Sequence, residues 1–102
     1  MENHNHHNDF AEYFSKLESA NKLLGKKLIV KDRNELIKIC DEFVMGMIDY
    51  VQTLWGSDTE AADLLEDYSR ILYNLSFEPQ SIDVRPLRNK LVEIKECIAK
   101  MD

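Results

Sequence analysis

The residues of this 102-residue chain whose types and spacing could support chemistry are its carboxylates. They form two clusters on neighbouring helical patterns, the first with Asp41, Glu42 and Asp49, the second with Glu60, Asp63, Glu66 and Asp67. Carboxylates three or four residues apart on facing helices can bind Mg²⁺. One candidate chemistry is therefore a divalent metal ion between two helices.

This arrangement is similar to that of all-α nucleotide pyrophosphohydrolases, which rely on paired ExxE and ExxD motifs. Here only Asp63-x-x-Glu66 has that spacing. The other interpretation of the clusters is a solvated acidic face, and we adopt it, assigning no residue as a metal ligand. A carboxylate metal-dependent nucleotide hydrolase of all-α type is kept as the alternative function.

The chain lacks the residues that other kinds of catalysis need. Nucleophilic and acid–base catalysis need a base beside the nucleophile, usually a histidine, and the three histidines are His4, His6 and His7. All three fall in residues 1–8, a polar segment that we predict to be a flexible tail. No GxxxxGK[ST] or GxGxxG phosphate loop occurs. We therefore predict a protein that is not an enzyme, with no catalytic residue and no cofactor.

Composition indicates which kinds of partner and which cellular compartment to expect. The net charge of −6 argues against direct nucleic-acid binding, which depends on Lys and Arg. No stretch approaches the roughly 20 apolar residues of a membrane span, and the first residues do not resemble a signal peptide. Cys40 and Cys97 lie in apolar helical patterns without a CxxC pair, so we expect reduced thiols. These features predict a cytoplasmic protein.

The elements that would position the carboxylates are four helices. The central one, Asn34 to Trp55, is apolar over more than half its circumference. We predict a first helix from Asp9 to Gly25, a second opening at Asp32, a third starting at Ser57 and a fourth from Val84 with Pro86 in its first turn. The prediction is one all-α domain over residues 9–102, an antiparallel four-helix bundle. The alternative is a three-helix core with a displaced first helix.

Two features of the central helix suggest close neighbours. Gly46 costs roughly 1 kcal/mol relative to Ala inside a helix, so we expect a close helix crossing there. Because a bundle of this size encloses only part of so apolar a helix, we also predict a homodimer at micromolar concentration. Its candidate face is Ile39, Met45 and Tyr50.

Charge is distributed unevenly along the chain. From Ile39 to Ser69 there are eight acidic residues and no Lys or Arg, whereas Lys16 to Lys38 has seven basic residues against three acidic ones. In an up-and-down bundle this pattern gives one acidic and one basic end. We predict that the acidic end and its flank dock a protein partner with a basic surface, through Asp49, Asp58, Glu60, Asp63 and Asp67. The expected function is a small non-enzymatic interaction module, such as a bacterial or phage-type regulator, inhibitor, immunity protein or chaperone.

Overall fold

The computed structural model describes residues 7–77 and 83–101, which contain four α-helices. They are α1 (His7–Leu24), α2 (Val30–Trp55), α3 (Glu60–Leu75) and α4 (Arg85–Met101). Residues 1–6 of the predicted tail lie outside the described residues. Helix α1 begins two residues earlier than predicted, so His7 and Asn8 belong to it.

The helices alternate in direction, as contacts between their ends show. At one end the Phe10 ring stacks on Trp55, with centroids 6.0 Å apart. At the other end Arg33 donates a hydrogen bond from Nη2 to the Ser76 carbonyl at 3.4 Å. Helix α1 packs against α2 and α4, and α3 packs against the same two helices. The predicted antiparallel four-helix bundle is confirmed, and the alternative with a displaced first helix is wrong.

One apolar core runs along the bundle and takes side chains from all four helices. They recur at steps of three and four residues, which brings them to one side of each helix. The fully buried members include Phe10 and Leu17 of α1, Val44, Met47 and Val51 of α2, Leu65 and Tyr68 of α3, and Leu87, Ile94 and Ile98 of α4. The bundle is elongated, with extents of 51 × 22 × 19 Å.

The starts of α2 and α3 differ from the predictions. Helix α2 begins at Val30 rather than near Asp32, because the Arg33 amide already bonds the Ile29 carbonyl at 3.0 Å and closes a turn without a side-chain cap. The cap of α3 is Thr59 rather than Ser57, and its Oγ1 accepts from the Ala62 amide at 3.2 Å. Both differences concern the first turn alone.

The two glycines of the α2 region have different surroundings. A Cβ at Gly46 would meet the Tyr13 hydroxyl at 3.5 Å, which is an ordinary van der Waals contact with a side chain. The neighbouring helix expected at Gly46 is α1, and the atoms nearest to the glycine belong to its Tyr13 side chain rather than to its backbone. Gly56, with φ of +90°, ends α2 in a conformation that L side chains rarely adopt.

Within residues 7–77 and 83–101, none of the helices combines the length and apolar composition needed to cross a membrane.

Candidate functional site

A groove between α2 and α3 is lined by one residue from each of the two carboxylate clusters, Asp41 and Glu66. It encloses about 440 Å³. Its floor includes the buried side chain of Ile37 and that of Leu72, and Lys38, Arg70 and Tyr73 stand along its sides. We call this depression the α2–α3 groove.

Asp41 of the first carboxylate cluster lies in this groove and is engaged with α3. Its Oδ1 accepts a hydrogen bond from the Ser69 hydroxyl at 2.8 Å. Glu66 also lines the groove, whereas Glu42 lines a different one beside Tyr13. The helices thus divide the first cluster between two surfaces, and in the described part of the chain no three His, Cys, Asp or Glu side chains meet as a metal-ion site.

Large apolar side chains are exposed beside the α2–α3 groove, and one of them, Tyr73, lines it. Val30 is 54% exposed, Tyr73 64% and Phe77 68%, and the last two rings pack edge to face with centroids 5.0 Å apart. Met45, 49% exposed, continues the row that Asn34, Lys38 and Asp41 form on α2 at steps of four, three and four residues. Apolar surface is therefore presented at both ends of the groove.

The predicted oligomer face does not form one patch on α2. Ile39 is exposed, but it shares a side of the helix with Phe43 and Gly46, next to Tyr13 of α1. Met45 is six residues away, which places it roughly 120° around the helix, towards α3. Tyr50 is half-buried, with its ring 5.0 Å from that of Phe10.

Four of the predicted docking carboxylates lie at one end of the bundle. Asp49, Asp58, Glu60 and Asp63 are all exposed, at or near the turn between α2 and α3. In the residues that the structure describes, none of the four forms a salt bridge. We call these four residues the acidic pole. The last turn of α4 is at the same end and adds one cation, Lys100.

Asp67, the fifth predicted docking residue, forms ion pairs within the molecule. Its carboxylate lies 2.9 Å from Arg70 and 3.9 Å from Lys90. It is half-buried on the side of α3 that faces α4, so it stands apart from the acidic pole. The sequence did not predict this pairing, because the register of α4 that places Lys90 beside Asp67 cannot be read from a single sequence.

The opposite end of the bundle is basic, with Lys26, Lys27 and Lys31 exposed around the connection between α1 and α2. At the start of α4, Arg85 binds both carboxylate oxygens of Asp83, and its backbone amide donates to the same group. These hydrogen bonds lower the pKa of Asp83 to about 2. Asp83 is therefore ionised at neutral pH and accepts hydrogen bonds from Arg85 in the first turn of α4.

A polar pair in the core was not predicted. The Tyr68 hydroxyl donates to Asn21 Oδ1 at 2.7 Å, and both side chains are buried. Burial is the main reason that the pKa of Tyr68 is raised, and a contribution from nearby Cys40 adds to it. The sequence did contain a signal, since Asn21 continues the inward row of Phe10, Phe14 and Leu17 at steps of four, three and four.

The two cysteines are free thiols. Cys40 is fully buried, and desolvation, helped by the charge of Asp41, raises its pKa to about 11. The pKa of Cys97 is also raised, by burial first and by Glu60 second. Neither thiol is activated as a nucleophile, because thiolates need a depressed pKa to form at neutral pH.

Comparisons with protein-family models, with curated proteins and with solved structures find no match to this chain.

Proposed function

We propose that this protein is a non-enzymatic interaction module that docks a basic surface of a partner protein through its acidic pole. The proposal rests on one observation: Asp49, Asp58, Glu60 and Asp63 are exposed together at one end of the bundle, and none has a salt bridge within the described residues. A basic partner would supply the compensating charge.

Helix stability explains part of this charge distribution. Glu60 and Asp63 lie in the first turn of α3, where the helix dipole favours negative charge. Asp49 lies in the last two turns of α2, where the dipole gives it no such support. Helix stability therefore does not explain Asp49, whereas recognition of a cationic surface would.

Electrostatic docking of this kind acts mainly on the association rate. Complementary charges steer diffusional encounter and can raise the rate constant by one or more orders of magnitude at low salt. Regulators, inhibitors, immunity proteins and chaperones that capture a partner quickly have this property. For the catalytic alternative, a metal-dependent nucleotide hydrolase, the described residues bring no three His, Cys, Asp or Glu side chains together as a metal-ion site.

The test compares the native protein with the triple variant Asp49→Asn, Asp58→Asn and Asp63→Asn. Partners captured from host extract by the immobilised native chain are purified, and their association rates are measured from about 20 to 300 mM salt. The triple variant should bind at least about tenfold more slowly at low salt and show a flatter salt dependence. An association rate that is unchanged across ionic strengths would refute docking through the acidic pole.

A matched control removes the same number of charges elsewhere. Asp32→Asn, Glu35→Gln and Glu42→Gln change exposed residues of α2 outside the acidic pole and should leave the association rate near the native value. The competing activity is examined by calorimetric titration with Mg²⁺ and Mn²⁺ and by a nucleotide hydrolysis screen. Tight metal binding together with turnover would replace the docking proposal.

A further inference from the structure

We propose that the α2–α3 groove and its two flanking helices form the interface between two copies of this chain, packed antiparallel about a twofold axis perpendicular to the helices. This inference is independent of the acidic pole. It rests on the exposed apolar residues of the groove and on the order of charges along it.

The exposed apolar residues of this face favour its burial against another molecule. Four large apolar side chains, Val30, Met45, Tyr73 and Phe77, are each about half or more exposed on this one side of the bundle. Exposed apolar residues that are scattered singly need no explanation, but a group along one groove marks a contact surface. The depression of about 440 Å³ between the helices offers room for side chains from a second molecule.

The charges on this face are ordered along the helix axis. The hydrogen bond between Ser69 and Asp41 marks the middle of the groove, and that between Arg33 and Ser76 fixes the antiparallel alignment of α2 and α3. Towards the basic end from this middle lie Lys38 and Arg70. Towards the acidic end lies Glu66. Apart from Asp41 at the middle, the groove therefore has a cationic half, with Lys38 and Arg70, and an anionic half, with Glu66.

A twofold axis through the middle of the groove reverses these halves in the second copy. The cationic half of each chain then faces the anionic half of the other, and Arg70 comes opposite Glu66 of the second copy. The present pair between Arg70 and Asp67 is exposed, and exposed pairs are worth little, so it does not prevent the new contact. In the same arrangement, Tyr73 of each chain lies near the anionic half of the other, where Met45 is exposed.

The face is at the low end of the size range of specific interfaces, which is typical of a weak association. The 16 residues of α3 span about 24 Å, and two helices side by side are about 20 Å wide, which gives roughly 500 Å² for each chain. Both chains together bury roughly 1,000 Å², the lower limit for a specific interface. The dimer should therefore dissociate in the micromolar range and form a closed pair, since a twofold contact uses the same surface on both chains.

The decisive experiment is a charge swap measured by sedimentation equilibrium. The native chain should change from 12.0 kDa to twice that mass as its concentration rises. Arg70→Glu alone places acidic residues opposite each other, and Glu66→Arg alone does the same with basic residues, so each should weaken dimerisation at least about tenfold. An equimolar mixture of the two variants should recover the native affinity, because each heterodimer contact again joins opposite charges.

Controls separate this result from loss of folding or from a general charge effect. Lys22→Glu and Glu96→Arg reverse exposed charges on α1 and α4, away from the groove, and should not change the dissociation constant. Tyr73→Ser removes apolar surface without changing charge and should also weaken the dimer while circular dichroism stays native. A native chain that remains at 12.0 kDa at millimolar concentration would overturn the proposal. So would variants that dimerise like the native chain, or a mixture in which dimerisation is not recovered.

Discussion

At the scale of the residue, the most consequential contact is the buried hydrogen bond from Tyr68 to Asn21. It joins α3 to α1, which lie diagonally across the bundle and whose backbones do not approach closely within the described residues. A polar pair in a core contributes little net stability, but leaving one member without its partner is costly. The pair therefore favours the arrangement in which these two positions meet over other registers of the same helices.

Tyr68→Phe tests this contact. The variant keeps the ring but leaves Asn21 Oδ1 buried without the tyrosine donor, so the free energy of unfolding should fall by about 1 to 3 kcal/mol. Urea denaturation followed by circular dichroism gives the measurement. Tyr73→Phe, which removes the same hydroxyl from an exposed side chain, should change stability by less than about 0.5 kcal/mol. Equal losses in the two variants would contradict the role of the buried pair.

At the scale of the element, one glycine inside α2 and one directly after it show that packing and backbone conformation are separate reasons for a position to require glycine. Gly46 lies in its interior, where the neighbouring atoms belong to the Tyr13 side chain at ordinary contact distance. Gly56 follows its last residue with φ of +90° and ψ of 170°, a region used almost only by glycine. The backbone conformation requires glycine at 56, and nothing in the packing requires it at 46.

The two glycines should therefore respond in opposite directions to alanine. Gly46→Ala should raise the free energy of unfolding by about 1 kcal/mol, because alanine restricts the unfolded chain and the added methyl fits against Tyr13. Gly56→Ala has open space around the new methyl but a strained backbone, so it should lower stability by about 1 to 3 kcal/mol. Thermal and urea unfolding of both variants provide the comparison. A loss of stability in Gly46→Ala would indicate that Tyr13 cannot accommodate the methyl.

At the scale of the whole molecule, the four helices share one core, so we expect the bundle to unfold as a unit. The reactivity of the Cys40 thiol can be used to follow this unfolding, since Cys40 is fully buried and its pKa of about 11 leaves little thiolate at neutral pH. Cys97 lies nearer the surface and serves as an internal comparison.

Thiol labelling at pH 7.5 should therefore modify Cys97 before Cys40. The free energy calculated from the labelling rate of Cys40 should equal the unfolding free energy from urea, because the thiol becomes accessible in the unfolded state. Mass spectrometry of partially labelled protein distinguishes the two sites. Rapid modification of Cys40 in the native protein would show that the core opens locally around α2.

The sequence predicted the bundle well because periodicity at three and four residues and short connections leave few other arrangements. It predicted the first turns of α2 and α3 less well, since several capping residues compete within a few positions, among them Ser57 and Thr59. The end at which the acidic pole lies follows from the up-and-down topology. The pairing of Asp67 with Lys90 does not, because the lateral register between α3 and α4 has no signal in a single sequence.

The stacking of Phe10 on Trp55 has an optical consequence. Trp55 is the single tryptophan of the chain, and its ring lies nearly parallel to that of Phe10, at 12°, where α1 begins and α2 ends. Its fluorescence emission therefore depends on whether the first turns of α1 are packed against the other helices. Changes in this emission that precede the loss of far-ultraviolet ellipticity would measure the fraying of α1 separately from the unfolding of the other three helices, without an added dye.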